Sequence, residues 1–188
     1  METNSQSGKK IAIFGGSRVP RESGQYAEAY RVGALLAEAG FIVVNGGYSG
    51  SMEASAKGAR EAGGRVIGVT SAFFPMNEIN SFVDEEVPTD DLYNRIRELV
   101  IQSDAYIVLR GSIGTLAELM VSWNISTIDP HFDRPILLLG ESWKNVIRTF
   151  QESLDVKPEH VEHLLFAATP EESVELLKRR LNGHRGES

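Results

Sequence analysis

Three turns rich in glycine follow strand-like segments of the sequence, in the position where α/β proteins hold anions. Glycine lets a backbone approach a ligand that a β-carbon would push away, and unpaired N–H groups at helix starts attract negative charge. Each turn alone is more simply a tight turn, but three at one sheet edge favour a phosphate site. The candidate binding residues are Gly15, Gly16 and Ser17 in the first turn, Gly46 and Gly47 in the second, and Arg110, Gly111, Ser112, Gly114 and Thr115 in the third.

The segment from Thr115 to Glu118 has two interpretations. A T-x-x-E pattern at the start of an apolar helix is a capping box, in which both side chains bind free backbone N–H groups, and taken alone this is the better explanation. In the functional interpretation, Glu118 lies one helical turn beyond the third glycine-rich turn. A carboxylate there faces a bound ribose and stabilises an oxocarbenium-like transition state, which makes Glu118 a candidate catalytic residue.

Arg95 is the second candidate catalytic residue. It shares a helix face with Leu92 and Leu99, the apolar stripe that points at the core. An inward arginine needs an anionic partner. That partner is a bound ligand, or else Glu118 or Asp104 in an ion pair, unless the guanidinium reaches the edge of the core.

Strand-like and helical segments alternate along the chain, which is the pattern of a parallel α/β sheet. The strand-like runs are continuously apolar, as expected for strands covered on both faces. Six such runs lie at 10–16, 41–47, 65–70, 105–111, 135–140 and 164–169, and helical patterns lie at 23–39, 51–62, 90–103, 114–127, 142–153 and 170–181. The sequence therefore predicts a Rossmann-like, doubly wound, mostly parallel sheet of six to seven strands with helices on both faces.

One nucleotide-binding domain is expected over residues 1–188, because the length suits one core. The ends, 1–8 and 183–188, are expected to be flexible. The long irregular stretch at 71–89 can hold a short edge strand and part of a lid over the substrate.

Composition excludes several classes of function. The chain has no cysteine, so disulfides, thiolate metal sites and a cysteine nucleophile are ruled out. We expect no metal and no cofactor, since only His160 and His163 form a close histidine pair. A net charge of −7 argues against nucleic-acid and membrane partners. Without a long apolar run or a signal peptide, a cytoplasmic location is expected.

The helix predicted at 114–127 is apolar on more than one side, whereas a surface helix has one apolar stripe. We therefore expect a homodimer interface on its second face, the alternative being further packing within the chain. The first face carries Leu116, Leu119, Met120 and Trp123, and the second carries Val121 and Ile125.

Together these segments resemble the LOG (Lonely Guy) family of cytokinin riboside 5′-monophosphate phosphoribohydrolases, often labelled possible lysine decarboxylases. The family signature PGGxGTxxE corresponds to RGSIGTLAE at 110–118, and the resemblance extends over FGGS, NGGYSGSMEASAKGA and DAYIVL. The family's MxxRK motif falls on 92–96, so its functional arginine corresponds to Arg95 and its signature glutamate to Glu118. Molybdenum-cofactor carrier proteins are a related family.

The resemblance implies hydrolysis of the N-glycosidic bond of AMP or an N6-modified AMP, giving a base and ribose 5-phosphate. The 111–115 loop would hold the 5′-phosphate, Arg95 would orient the ribose phosphate or Glu118, and Glu118 would stabilise the sugar charge or activate water. Arg110, Ser112 and Ile96 replace the signature's proline, its second glycine and the motif lysine. If Ser112 needs a positive φ, the loop is strained by about 1 kcal/mol or more.

A non-catalytic carrier or sensor is the alternative function. A protein that only binds a nucleotide or molybdenum cofactor needs the glycine-rich turns but not Glu118. Lysine decarboxylation has no support, because no lysine lies at a turn suited to its cofactor. The identity of the base stays open.

Overall fold

The computed structural model describes residues 8–74 and 78–183, so the predicted flexible ends lie outside it apart from Gly8 and Gly183. Seven parallel strands form one sheet in the order β4-β3-β2-β1-β5-β6-β7. This confirms the predicted Rossmann-like sheet, and the edge strand expected within 71–89 is β4. The strands are β1 Lys10–Phe14, β2 Ile42–Asn45, β3 Val66–Ser71, β4 Glu85–Thr89, β5 Ala105–Val108, β6 Ile136–Leu139 and β7 Leu164–Ala167.

Helices cover both faces of the sheet, as predicted. The helices are α1 Gly24–Glu38, α2 Ser51–Glu61, α3 Leu92–Ile101, α4 Ile113–Ile128, α5 Ser142–Ser153, α6 Pro158–Val161 and α7 Pro170–Gly183. One hydrophobic cluster joins the sheet to α1, α2 and α7, and a second joins it to α3, α4 and α5. The short helix α6 was not predicted, because four residues are too few to show a helical period. Within the described ranges, no helix has the length and apolar character needed to cross a bilayer.

The inner strands and the edge strand differ in burial for a physical reason. Residues such as Ile11, Val43 and Ile107 are fully buried, and burying each such side chain contributes roughly 1.5–3 kcal/mol. Strand β4 pairs with β3 on one side only and has exposed glutamates at Glu85 and Glu86 and a proline at Pro88. Charges and proline on an edge strand discourage pairing with another chain.

The order of the strands sets the position of the ligand site. Strand β1 lies between β2 and β5, so the chain extends the sheet in one direction through β4 and then returns to extend it in the other. The crevice at such a reversal, outside the carboxyl ends of the strands, is where open α/β sheets bind ligands. Phe14 of β1 pairs with Val108 of β5, which brings the first and third glycine-rich turns to this crevice.

Helices α1 and α2 approach each other unusually closely. A β-carbon on Gly33 would overlap the carbonyl oxygen of Ser55, and one on Gly58 would overlap the carbonyl oxygen of Tyr30. The two glycines therefore let the helix backbones touch. Because α2 follows the second glycine-rich turn directly, this contact also fixes the position of that turn.

Replacing Gly33 by Ala should lower the free energy of unfolding by roughly 1–3 kcal/mol, since the added methyl forces the two helices apart. Urea denaturation followed by circular dichroism measures the change. The control is Gly24→Ala at the start of α1, where a β-carbon meets no atom within 4 Å and alanine favours the helix. A Gly33→Ala protein as stable as the control would contradict this account of the packing.

Candidate functional site

The three predicted turns meet at the crevice and hold one another in place. The backbone N–H of Ser51 donates to the carbonyl oxygen of Gly16 at 2.9 Å, and the Ser49 hydroxyl donates to that of Ser17 at 3.0 Å. Gly50 lies between the turns with a φ of +69°, and a β-carbon there would overlap Gly16 and Ser17. The first and second turns are therefore interlocked, and the third, at Gly111, lies beside Gly16.

A cavity of about 300 Å³ opens between these turns, and we call it the Glu118 cavity. It brings together both candidate catalytic residues and half of the candidate binding residues. Its lining includes the predicted residues Gly15, Ser17, Arg95, Ser112, Gly114, Thr115 and Glu118, and the further residues Tyr48, Met52, Phe74, Leu92, Ile96, Ile113 and Ala117. A volume of this size is at the lower end of the range for sites that hold small molecules.

The Arg95 guanidinium is buried at the base of this cavity, with 7% of the residue exposed. Its Nε donates to the carbonyl oxygen of Val69 at 2.9 Å, and its Nη2 donates to that of Gly46 at 3.3 Å. The remaining nitrogen, Nη1, lies 3.6 Å from Oε1 of Glu118. Glu118 is therefore the acidic partner of Arg95 among those considered from the sequence. The guanidinium is buried and does not reach the edge of the core. Asp104 instead accepts a hydrogen bond from the backbone N–H of Lys10 at 2.7 Å.

The Glu118 carboxyl titrates near neutral pH. Burial raises its pKa from the usual 4.5 to about 7, although the positive charge of Arg95 acts in the opposite direction. Desolvation is the larger effect because the ion pair, at 3.6 Å, is too long for a direct hydrogen bond. A carboxyl with a pKa close to the working pH can both accept and donate a proton during a reaction.

The start of α4 does not form the capping box considered for Thr115 and Glu118. The N-cap is Ser112, so Thr115 lies inside the first turn of the helix and Glu118 beyond it. That interpretation is wrong because α4 begins at Ile113, two residues before Thr115, with Ser112 as its N-cap. Ser112 adopts an extended backbone with a φ of −115°, so the strain considered for a positive φ is absent.

Two features leave the start of α4 open to an anion. The Ser112 side chain makes no capping hydrogen bond, so the N–H groups of the first turn have no side-chain acceptor. The buried Thr115 hydroxyl has no hydrogen-bond partner within the described part of the chain. A β-carbon on Gly114 would meet no atom within 4 Å, which leaves room for a ligand above the helix.

Gly46 and Gly47, predicted to bind the substrate, lie behind the cavity and not on its lining. A β-carbon on Gly46 would overlap the guanidinium of Arg95. Gly46 is therefore needed to make room for that side chain. Asn45, which the sequence analysis missed, fixes the turn: its amide donates to the carbonyl oxygen of Met52 at 2.9 Å and accepts from the N–H of Gly47 at 2.9 Å.

An aromatic wall formed by Tyr48 and Phe74 was also missed. The guanidinium carbon of Arg95 lies 5.5 Å from the centre of the Tyr48 ring and 5.8 Å from that of Phe74. Tyr48 lies within the second glycine-rich turn, so its position in the sequence could have identified it as a site residue. Phe74 belongs to the irregular stretch after β3, where no sequence pattern marks it. Asn80 ties this stretch to the turn, since its amide donates to the carbonyl oxygens of Gly47 and Tyr48, both at 2.9 Å.

A second cavity, of about 440 Å³, adjoins the first, and we call it the Arg110 cavity. Arg110, Gly16 and Gly111, which were predicted to bind phosphate, lie here and not in the Glu118 cavity. The lining consists of Gly16, Ser17, Arg18, Val19, Gln25, Arg110, Gly111 and Ser112. Ser17 and Ser112 line both cavities.

The fold and the site define a Rossmann-like protein with a ligand cavity at the topological switch point of its sheet. The chain belongs to the SLOG cluster4 family, whose profile matches residues 8–173. This confirms the resemblance to the LOG family inferred from the signature segment.

Similar proteins carry the name that the resemblance suggested. A cytokinin riboside 5′-monophosphate phosphoribohydrolase of Mycobacterium tuberculosis is 36% identical over 113 residues, which cover 59% of this chain and 60% of that protein. A probable enzyme of the same name from Oryza sativa subsp. japonica is 29% identical over 181 residues, covering 90% of this chain and 70% of the relative. An uncharacterized protein of Archaeoglobus fulgidus is 39% identical over 115 residues, covering 60% and 72%.

Solved structures with the same fold include proteins that bind the molybdenum cofactor. The molybdenum cofactor binding protein of Rippkaea orientalis has a TM-score of 0.76 and 24% identity, with 95% of this chain and 100% of that chain covered. The Moco carrier protein of Chlamydomonas reinhardtii has a TM-score of 0.67 and 26% identity, with coverage of 92% and 97%. The first similarity is one of fold alone.

The raised pKa of Glu118 predicts a pH-dependent loss of stability. Because its folded pKa of about 7 exceeds the usual 4.5, the folded state holds the proton more tightly. The resulting stabilisation is complete below pH 4.5 and is lost as the pH rises through 7. Relative to Glu118→Gln, the free energy of unfolding should fall by on the order of 3 kcal/mol between about pH 5 and pH 8.

Urea denaturation of both proteins across this pH range measures the difference. Glu175→Gln is the control. Lys178 lowers the pKa of the exposed Glu175 carboxyl, so this carboxyl does not make the protein less stable as the pH rises. Stability profiles of the original protein and Glu118→Gln that run parallel from pH 5 to pH 8 would show that Glu118 is ionised without penalty.

Proposed function

We propose that the protein hydrolyses the N-glycosidic bond of a nucleoside 5′-monophosphate, either AMP or an N6-modified AMP. Water adds to C1′ of the ribose, and the base leaves with a proton, giving the free base and ribose 5-phosphate. The observation that carries this proposal is the Arg95–Glu118 pair, whose carboxyl lines a ligand-sized cavity and has a pKa of about 7.

The 5′-phosphate is held at the start of α4 in this proposal. Free N–H groups and the positive end of the helix dipole favour a phosphate there. The Ser112 hydroxyl makes no hydrogen bond to the start of the helix that it caps. The Thr115 hydroxyl is buried and has no hydrogen-bond partner within the described residues. The exposed Ser112 hydroxyl is the side-chain donor available to a phosphate there.

Glu118 acts on the ribose from the side wall of the same cavity. In its ionised form the carboxylate stabilises positive charge that develops at C1′ and takes a proton from the attacking water. Arg95 acts as a positioning residue. Two backbone carbonyls fix its guanidinium, and its third edge faces Glu118 and keeps part of the carboxyl population ionised at neutral pH.

The similar phosphoribohydrolases support this proposal. Three substitutions within the signature and motif segments adapt the site without removing the pair. Ser112 adopts an unstrained backbone, Arg110 adds a cation beside the loop, and Ile96 makes the cavity wall more apolar where the motif has a lysine. Tyr48 and Phe74 supply an aromatic wall on which a purine ring can stack.

A non-catalytic carrier is the second candidate function. The similarity to the Moco carrier protein of Chlamydomonas reinhardtii, at 26% identity, favours it. The open start of α4 would hold the terminal phosphate of a molybdopterin as well as that of a nucleotide. The difference between the two functions lies in Glu118, which has no task in a carrier.

Glu118→Gln should lower the rate of base release from AMP by at least about 100-fold, because the variant cannot accept a proton or carry negative charge. The affinity for AMP should stay within a few-fold of the original, because the phosphate is held elsewhere. Chromatography of free adenine and ribose 5-phosphate measures turnover, and calorimetry measures binding.

Glu175→Gln, on the exposed face of α7, is the matched control and should release base at the original rate. Base release that survives in Glu118→Gln would remove Glu118 from the mechanism. No release by the original protein, together with molybdopterin binding, would establish the carrier.

We also propose that the protein is a homodimer that pairs through α3 and α4. Exposed apolar residues concentrate on these neighbouring helices: Tyr93 is 84% exposed, Ile113 80%, Ile128 71% and Ile101, at the end of α3, 47%. The predicted second face of α4 is partly accounted for within the chain, since Ile125 packs on the core. Val121 remains 38% exposed, so a partner surface is still needed to cover this side.

The double variant Ile101→Asp/Ile128→Asp should be a monomer, since a charge at each position opposes burial of the apolar surface. Analytical ultracentrifugation measures the mass in solution. Leu154→Asp, at an exposed apolar residue beyond α5, is the control and should leave the dimer intact. An original protein that sediments as a monomer contradicts the proposal.

A further inference from the structure

We propose that the Arg110 cavity binds a second phosphoryl group, so that the ligand is a nucleoside 5′-diphosphate or an ester of one. This inference rests on the proposed nucleotide site and extends it beyond the 5′-phosphate. The first phosphoryl group lies at the start of α4, and the second lies between Arg18 and Arg110.

The two arginines that line the Arg110 cavity lack the ion pairs that most other cations of the chain form. The chain has a net charge of −7, and carboxylates are available to most of its cations. Arg21, Arg60 and Arg65, for example, each form an ion pair with a glutamate or aspartate. Within residues 8–74 and 78–183, Arg18 and Arg110 have neither an ion pair nor a side-chain hydrogen bond. Both line the same cavity.

The lining of the Arg110 cavity has the composition of an anion site. It contains two arginines, two serines and Gln25, but no acidic residue. Glu28 shares a separate depression with Arg110, and no ion pair joins the two. Two guanidinium groups left unpaired in an acidic protein favour an anionic ligand between them, since arginine binds phosphate through charge-assisted hydrogen bonds.

The two cavities adjoin at shared residues. Ser17 and Ser112 belong to the lining of both, so a ligand that extends from the start of α4 into the Arg110 cavity would pass beside these two residues. Gly16 and Gly111 flank the same passage, with the Cα of Gly111 3.7 Å from the position of a Gly16 β-carbon. The absence of side chains there lets a ligand lie close to both backbones.

A single 5′-phosphate does not account for both sets of groups. The open first turn of α4 faces the Glu118 cavity, whereas Arg18 and Arg110 line the Arg110 cavity and not the Glu118 cavity. Adjacent phosphoryl groups of a diphosphate would occupy both positions at once. The ligand would then extend from the Glu118 carboxyl, across the third glycine-rich turn, to the two arginines.

Calorimetry with AMP, ADP and ADP-ribose tests this arrangement, using the full chain with Glu118→Gln so that no ligand is hydrolysed. ADP should bind about tenfold more tightly than AMP, because its second phosphoryl group meets two cations. Addition of Arg18→Ala/Arg110→Ala should remove this gain, so that ADP loses about tenfold more affinity than AMP does. Arg148→Ala, an exposed arginine on α5, is the matched control and should change neither affinity.

Each result has a separate meaning. Tighter binding of ADP-ribose than of ADP supports an ester as the ligand, and the reverse supports a terminal diphosphate. Equal affinities for AMP and ADP would overturn the second subsite and leave the nucleotide site standing. Equal weakening of AMP and ADP by the double arginine substitution would also overturn it, since both arginines would then hold the 5′-phosphate. If none of the three ligands binds, the proposed nucleotide site itself fails.

Discussion

The arrangement of the site depends on one buried guanidinium. Arg95 is anchored by the carbonyl oxygens of Gly46, directly after β2, and of Val69 within β3, and it faces Glu118 on α4 at 3.6 Å. It therefore connects two strands and two helices at the centre of the crevice. A charge in this position is tolerated only while its partners are present, and removing one partner of a buried pair costs about 3–5 kcal/mol. The glycine at Gly46 follows from this group, because a β-carbon there would overlap the guanidinium.

The chemistry of the site results from two opposing effects on one carboxyl. Burial raises the pKa of Glu118 and the guanidinium lowers it, with burial the larger. A shorter ion pair would hold Glu118 ionised, whereas removal of the arginine would leave a neutral acid at physiological pH. The observed spacing of 3.6 Å places the carboxyl between these limits. Both protonation states are populated near pH 7, and an acid or base catalyst needs access to both.

The sequence predicted the sheet well because its signals are local and repeated. Continuous apolar runs followed by glycine mark buried parallel strands, and the edge strand β4 fell within the one stretch that interrupts the pattern. From the sequence, Glu118 was only one of several possible partners for Arg95. The two residues lie 23 positions apart on different helices, and sequence patterns do not show which distant residues meet. The capping box failed for a related reason: a T-x-x-E pattern does not fix where α4 begins. Gly46 shows a further limit, since a glycine that makes room for a side chain and one that makes room for a ligand look identical in sequence.

The segment between β3 and β4 is described at residues 72–74 and 78–84, and Asn80 fastens it to the turn after β2. Phe74, on the same segment, forms part of the aromatic wall. In the proposed reaction, Glu118 comes from α4, which packs on the central strand β1, and Arg95 comes from α3, which packs on β3 and β4. In the proposed function, the base contacts residues of this segment, whereas the sugar contacts groups carried on helices. Residues at positions such as Phe74 can then differ between proteins that share the Arg95–Glu118 pair, and the preferred base would differ with them.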